Sequence, residues 1–413
     1  MNRRTILSAA FAVLLPLTLA AQSNTNSPYS YFGLGEFDLA GYGKTSGMGG
    51  VAYGIRTPSF VNHLNPASYA GFDSLRVVLD VAASGKVSWL RASNDGRSAF
   101  NGNIKRIALG IRLYKAWAVS LGMTPFTNVG YQVNAKEPVV GRSDEYSIAT
   151  YSGDGGLSRL YFGTSIRPFG GFSVGANVSM LFGYINKTKI TSHGQLDGTW
   201  TEKYRYKPRT ALLFDFGAQY AIGLPGSSRL TLGLVGGLSS GLRMAKYYSV
   251  FMGAEGDEEM RDMERFYLPL RLGGGLAFNS KRWTFAADYE TQRWADVAKL
   301  NRTTRYVNSH RAALGASFCP NYYLGRNLFQ RMTYQAGMHY ERTHLSFQGL
   351  RSDAYGVTVG VDMPFRQQLS SLSLSVDAGI KGRAYKDMIR ETYIRLNMGI
   401  SFSDFWFLKR QYD

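Results

Sequence analysis

Five histidines are the first candidates for chemistry: His63, His193, His310, His339 and His344. They are scattered, and no HExxH, CxxC or Walker-type loop accompanies them. His339 and His344 stand five apart, which on a strand turns them to opposite faces. Gly153-Asp154-Gly155-Gly156 has the glycine content of a phosphate-cradling loop. Such a loop needs a helix after it, and Leu157 to Phe162 continues instead as strand. A bulge or break within a strand fits better. Gly-x-Ser-x-Gly occurs at Gly171–Gly175 and at Gly237–Gly241. A nucleophile elbow joins a strand to a helix, but Ser173 opens an alternating segment and Ser239 closes one. Cys319 is the single cysteine, so no internal disulfide and no multi-cysteine metal site can form. These residues point away from an enzyme, a metal site or a cofactor.

The elements that would position them are strands. Of 413 residues, 45% are apolar, which excludes disorder as the main reading. Tyr 27, Phe 24 and Gly 47, against Pro 12 and 18% charged residues, suit strands joined by tight turns. The net charge is +18, which admits nucleic acid, an anionic membrane surface or an acidic partner. The N-terminus narrows that choice. Arg3 and Arg4 precede an apolar run from Ile6 to Leu19, then Ala20, Ala21 and polar Gln22-Ser23-Asn24. This is the pattern of a secretory signal peptide over residues 1–21. Export makes nucleic acid an improbable partner. No second apolar run of membrane-spanning length follows, so membrane insertion would need a β-barrel.

From Leu75 onward the chain alternates with period two. Phe172, Val174, Ala176, Val178, Met180, Phe182 and Tyr184 share one face. Tyr355, Val357, Val359, Val361 and Met363 do the same, as do Leu372 to Ile380 and Ile394 to Phe402. About fourteen such segments can be placed, many too long for an ordinary globular sheet. The second face is small and polar and reads as wet, so Arg at Ser179 or Thr358 should be better tolerated than at Val178 or Val359. Asp215, Asp288, Glu290, Glu341, Asp362, Asp377, Lys381 and Arg395 fall on that face and are expected in a lumen. Connections alternate between short turns (Tyr114–Ala116, Pro168–Gly171, Asn279–Lys281) and long polar loops (Ala92–Gly102, Thr191–Glu202, Met244–Glu264). Outer-membrane barrels alternate this way. A propeller would show a repeat of 40–50 residues, and none is found. The expectation is an all-β chain: a 14-stranded antiparallel transmembrane β-barrel spanning 71–413 in the cell outer membrane.

Residues 22–70 show no such period. They are rich in Gly, Ser, Asn and Pro, and they end in Asn65-Pro66-Ala67 after Gly47-Met48-Gly49-Gly50-Val51-Ala52. This start resembles the FadL-type family of outer-membrane hydrophobic-compound transporters, in which an N-terminal hatch with an Asn-Pro-Ala motif plugs a fourteen-stranded barrel. Ser27-Pro28-Tyr29-Ser30-Tyr31-Phe32-Gly33-Leu34-Gly35, the Gly153–Arg159 segment, Leu268-Pro269 and the tail from Phe405 to Asp413 are similar to the Bacteroidetes branch.

The resemblance implies passive uptake of hydrophobic, fatty-acid-like small molecules, with lateral exit through a gap at a kinked strand. Asn65, Pro66 and Ala67 would form the hatch turn. Gly153, Asp154, Gly155 and Gly156 would form the strand break and lateral opening. Phe32, Phe37, Phe60, Tyr248 and Phe251 would contact ligand. Expected partners are that ligand, outer-membrane lipids with lipopolysaccharide, and other envelope proteins. The sequence departs from the family at the outer loops, where Glu255, Asp257, Glu258, Glu259, Asp262 and Glu264 cluster. A second reading is a structural or secretion-associated barrel that binds proteins. An apolar pocket beside the hatch would favour transport, and a wholly polar lumen would favour the second reading.

Overall fold

A computed structural model describes residues 27–38, 41–74, 76–91, 96–139, 142–193, 199–252, 259–298, 305–321, 327–347, 350–365, 370–383 and 388–405. The expected signal-peptide segment, half of the acidic outer cluster (Glu255, Asp257 and Glu258) and the tail beyond Phe405 lie outside them.

The fourteen expected segments are all strands. They are β1 (Arg76–Arg91), β2 (Gly96–Tyr114), β3 (Trp117–Val139), β4 (Arg142–Phe169), β5 (Phe172–His193), β6 (Thr199–Thr210, then Leu212–Leu224) and β7 (Ser228–Gly237, then Ser240–Met252). The rest are β8 (Glu259–Leu268, then Arg271–Asn279), β9 (Trp283–Gln292), β10 (Arg305–Tyr306, then Ser309–Phe318), β11 (Thr333–Phe347), β12 (Leu350–Pro364), β13 (Ser371–Lys381) and β14 (Arg390–Phe405). Each pairs antiparallel with the next, and β14 closes on β1 from Arg390↔Arg91 to Phe405↔Arg76.

The outer face is that of a transmembrane barrel. Val178, Met180, Phe182 and Tyr184 of β5 and Leu212, Phe214 and Phe216 of β6 are exposed, like their counterparts around the wall. Exposed aromatics collect near the turn end (Trp117, Phe169, Tyr220, Trp283, Tyr334, Phe402) and near the loop end (Trp89, Tyr184, Tyr289, Tyr340, Tyr355). Amphipathic rings concentrate at the two membrane–water boundaries.

Two expectations change. The long polar loops are mostly strand: β5 runs to His193, β6 starts at Thr199, β7 runs to Met252 and β8 starts at Glu259. β4 has 28 residues, about 90 Å of strand against an apolar band roughly 25 Å tall. Above the membrane the outward face meets water in place of lipid, so the apolar alternation stops while the backbone ladder continues. β3 to β8 therefore rise as a crown on one side of the barrel.

The small, polar second face is also not wet. Ser179 is 0% and Thr358 3% exposed. The N-terminal segment fills the barrel against them. It consists of short 3-10 turns at Pro28–Tyr31, Gly43–Met48 and Pro66–Gly71, and a two-residue strand, Glu36–Phe37. Met48, Val51, Ile55 and Phe60 pack on Ala277, Ala286 and Ala313, while Val61, Tyr69 and Phe72 pack on Val78, Ala108, Ala118 and Tyr161. Small wall residues signal close approach of backbone, not solvation.

Val359 is 59% exposed and faces lipid. Val359→Arg should cost about 2–4 kcal/mol of barrel stability in a refolding assay, with the N-terminal segment still protected from protease. Thr358→Arg, contrary to the simple lumen expectation, should also be damaging. It should act by making residues 41–60 protease-sensitive in a barrel that remains heat-modifiable on a gel.

Candidate functional site

The N-terminal segment is held by the lumenal charges. Asp288 Oδ2 accepts from the Ala52 and Tyr53 N–H groups at 2.5 and 3.0 Å, and the Tyr53 hydroxyl meets Glu290. Thr358 Oγ1 accepts from Gly49 N–H at 2.8 Å and donates to the Gly47 carbonyl. Arg311 donates to Gly49 O at 3.0 Å. Asp80 accepts from Val61 N–H and from Arg106, which also reaches Tyr42 O. Lys44 pairs with Asp362 at 3.0 Å, and Glu36 pairs with Lys381. Asp215 pairs with Arg271, and Asp377 with Arg395. Buried backbone groups need such partners.

Asn65-Pro66-Ala67 forms the turn into the last helical segment before β1. Asn65 is fully buried, its Oδ1 accepts from Ala67 N–H at 3.1 Å, and its Nδ2 donates to Tyr53 O at 2.8 Å. Pro66 opens the 3-10 turn, where its missing N–H costs nothing. The wall makes room with glycine: a Cβ at Gly217 would lie 2.1 Å from Asn65 Oδ1, and one at Gly175 2.6 Å from Pro66 C.

The barrel wall divides between β2 and β3. Their ladder runs from Tyr114↔Trp117 to Ile107↔Met123 and stops. Beyond it, among the described residues, Gly96–Arg106 pairs only with β1 and Thr124–Val139 with β4. The freed edge of β3 is taken by the N-terminal strand, Glu36↔Asn128 and Phe37↔Thr127. Asn103 bridges to Asn128 at 3.0 Å, and Lys105 to Asp38 at 2.7 Å. The expected break at Gly153–Gly156 lies one strand away. There β4 stays paired on both sides, Gly155 with Val129 and Ile185, Gly156 with Asn128 and Tyr184. Gly155 (φ +100°), Gly156 (φ +150°) and Gly183 on β5 (φ +118°) let three strands bend together where β3 leaves β2.

Behind this gap lies an apolar cluster. Leu34 packs with Val129, Tyr131, Leu157, Ile185, Leu242, Met244 and Trp294, with Phe32, Phe37 and Phe126 at its edge. The Phe37 ring touches Phe126 in the gap (5.5 Å between centroids) and Trp294 and His344 inside (5.2 and 5.5 Å). Beside the cluster a cavity of about 150 Å³ has a different chemistry. Its lining includes Lys86, Lys105, Arg311, Glu341, Lys381 and Arg395.

The five expected ligand contacts do not converge. Phe32 and Phe37 belong to the cluster. Phe60 is buried in a separate core with Met48 and Val51. Tyr248 packs on Tyr204, with ring centroids 4.7 Å apart and the rings tilted, higher in the crown. Phe251 pairs opposite Thr201 near the crown's tip. The last two were drawn together by an assumed loop that is strand. Sequence reasoning missed Asp38, Asn103, Lys105 and Asn128. Pro125 carried the available signal, because a proline inside a long strand marks an edge or bulge, and here the β3–β4 register shifts between Pro125 and Thr127.

Comparisons with known proteins bear on the whole arrangement. A family model described as BamG matches residues 1–413. No curated protein matches the sequence. Among solved structures, the P. putida toluene transporter TodX is similar at 17% identity and a TM-score of 0.60, covering 90% of this chain and 100% of that one. A monoaromatic hydrocarbon channel, CymD, is similar at 16% identity and 0.59, covering 89% and 99%. A Pseudomonas aeruginosa FadL homologue is similar at 14% identity and 0.59, covering 90% and 99%. The shared feature is the FadL-type barrel fold.

Burial alone would raise the Asp38 carboxyl. The Lys105 charge and hydrogen bonds from Lys105 and Tyr42 outweigh it and hold the group below its ordinary value of 3.8. A depressed carboxylate contributes stability that is present above its unfolded pKa and lost as pH falls through the folded one. Hydrogen exchange of residues 34–38 should therefore be slow at pH 5 to 7 and accelerate below pH 3.8. Asp38→Asn should expose the segment to protease at neutral pH, because it leaves Lys105 buried without its carboxylate, a loss of about 3–5 kcal/mol.

Proposed function

The chain belongs to the BamG family, and we propose that it is an outer-membrane channel, closed at rest, for passive uptake of hydrophobic small molecules. The observation that carries this is Phe37, which spans from the β2–β3 gap at Phe126 to the buried apolar cluster at Trp294. Its contacts join the gap in the side of the barrel to the packed apolar cluster beside the N-terminal segment, and the chain's own Phe32, Leu34 and Phe37 occupy that end of the cluster. An entering ligand would replace those side chains, apolar surface for apolar surface, at little net cost in hydration. The similar barrels described as a toluene transporter and a monoaromatic hydrocarbon channel support this ligand class.

In the finer form of the proposal the ligand is fatty-acid-like. Lys86, Lys105 and Lys381 line the adjoining cavity, so a carboxylate headgroup could exchange for their present anionic partners while its tail enters the cluster. Residues 1–21 would be the export signal, 22–70 the hatch and 71–413 the barrel. The mature N-terminus at Ser27–Gly35 supports a place in the Bacteroidetes branch.

A second reading rests on a different observation. The open cavity is charged, and the hatch is fixed by ion pairs to separate wall strands, Lys44–Asp362 on β12 and Lys105–Asp38 on β2. A barrel so tied could serve as a rigid envelope scaffold that binds proteins through its crown.

Native mass spectrometry of gently extracted protein separates the two. Transport predicts a bound hydrophobic molecule that disappears in Leu34→Asp, with the barrel still folded. A ligand-free barrel that retains a stoichiometric envelope protein in both forms would overturn it.

A further inference from the structure

The edge of β3 is longer than the segment that covers it. On the side away from β4, the Phe126 carbonyl accepts from Asp38 N–H and the Gly130 carbonyl from Ser27 N–H, both at 3.0 Å. Glu36 and Phe37 pair there with Asn128 and Thr127, and Gly130 N–H donates to Ser30 Oγ at 3.1 Å. The cover ends at that point. From Tyr131↔Gly153 to Pro138↔Tyr146, β3 pairs in unbroken register with β4 and, among the described residues, with no other strand.

Along a strand, one residue turns its N–H and carbonyl to one side and the next residue to the other. Gly130 faces away from β4, so Gln132, Asn134 and Lys136 do too. Their N–H and carbonyl groups make an open ladder edge about seven residues long, roughly 23 Å. The edge has two stops. The 3-10 turn Pro28–Tyr31 closes it below, and Pro138 closes it above, where the β3–β4 register also shifts. Between the stops, Tyr131-Gln132-Val133-Asn134-Ala135 holds neither charge nor proline, the common protections of a free edge.

The two faces along this edge differ. Tyr131 belongs to the lumenal cluster, so Val133 and Ala135 turn inward with it, and Tyr151 stands across from Val133. The Tyr31 ring leans on Tyr131 and Tyr151, with centroids 5.1 and 6.1 Å apart. Tyr31 is 38% and Val133 37% exposed. Gln132, Asn134 and Lys136 turn outward and are exposed. Glu137, the carboxylate next to Lys136, turns inward to Lys189 and Tyr151. Among the described residues no carboxylate pairs with Lys136.

We propose that this edge is a docking site for an extended segment of a second polypeptide, added to β3 as an antiparallel strand. Glu36–Phe37 already pairs with the same edge in that direction, and the partner continues the row above it. The open groups of Gln132, Asn134 and Lys136 recognise a backbone, and the alternation of side chains recognises a sequence. Apolar residues of the partner turn inward onto Tyr31 and Val133, polar ones turn outward, and an acidic one stands across from Lys136. A lipid offers no such row of donors and acceptors. The inference stands on the open edge and holds whether or not the barrel carries a hydrophobic ligand.

The test uses the full chain in detergent and a synthetic peptide of alternating valine and threonine with glutamate at its N-terminal end, read by hydrogen exchange. In the free protein the amides of Gln132, Asn134 and Lys136 should exchange fast, and the peptide should slow them at least tenfold. In an antiparallel pair the outward threonines turn their amides to β3. N-methylation of the threonine amides should therefore abolish the protection, while N-methylation of the valine amides should leave it. Asn134→Pro removes one open N–H without touching the β3–β4 ladder, and it should weaken peptide binding at least tenfold. Heat-modifiability on a gel verifies that the variant is folded. Equal protection by the two methylated peptides, no protection by the parent peptide, or full affinity in Asn134→Pro would overturn the site. So would slow exchange of those three amides in the free protein, which would mean that the chain covers the edge itself.

Discussion

A lumen fourteen strands wide is too large for its own wall side chains to fill. Whatever fills it brings backbone N–H and carbonyl groups that must find partners away from water. The rest of the structure follows from that constraint. Gly175, Gly217, Ser179 and the wall alanines let the N-terminal segment approach as backbone. Asp288, Thr358, Asp80 and Arg311 then satisfy the groups it brings. Of the lumenal charges, Asp80, Asp288, Glu290, Asp362 and Lys381 are sockets of the segment.

The same packing shapes the gap. β3 leaves β2 at Met123, two residues before Pro125, and the edge so created is occupied by Glu36–Phe37. β4 and β5 follow the bend because glycines at 155, 156 and 183 accept positive φ. The opening in the wall and the strand that covers it are therefore one device. Moving residues 34–38 would uncover a sheet edge, the Asn103–Asn128 bridge and the apolar cluster together. Phe37 couples the two ends of that path through its contacts with Phe126 and Trp294.

The barrel was legible because lipid on one face and close packing on the other impose a strict period of two. Where that asymmetry ends, legibility ends with it. Residues 244–252 and 259–264 look like loop because lipid no longer imposes an apolar outward face above the membrane, and only the hydrogen-bond ladder reveals them as strand. The wall serines and glycines were visible but misread as wet, since smallness does not distinguish water from approaching backbone. The Asn65-Pro66-Ala67 turn was legible because the bond that caps it, from Ala67 N–H to Asn65 Oδ1, is local. The Lys105–Asp38 pair was not, because its partners are 67 residues apart and on different elements. Gly153–Gly156 lies in a strand paired on both sides, and the end of the β2–β3 ladder lies on the far side of β3.

The central claim is that hydrophobic molecules pass sideways between β2 and β3 when residues 34–38 move aside. In a Cys319→Ser background, Asn103→Cys and Asn128→Cys would flank that gap, where the two amides now meet at 3.0 Å, and a short bifunctional thiol reagent with a reducible spacer would cross-link them. Cells carrying the cross-linked protein should take up a monoaromatic or fluorescent fatty-acid probe no faster than cells lacking the barrel, and reductant should restore uptake. Uptake unchanged by a verified cross-link would contradict the lateral route.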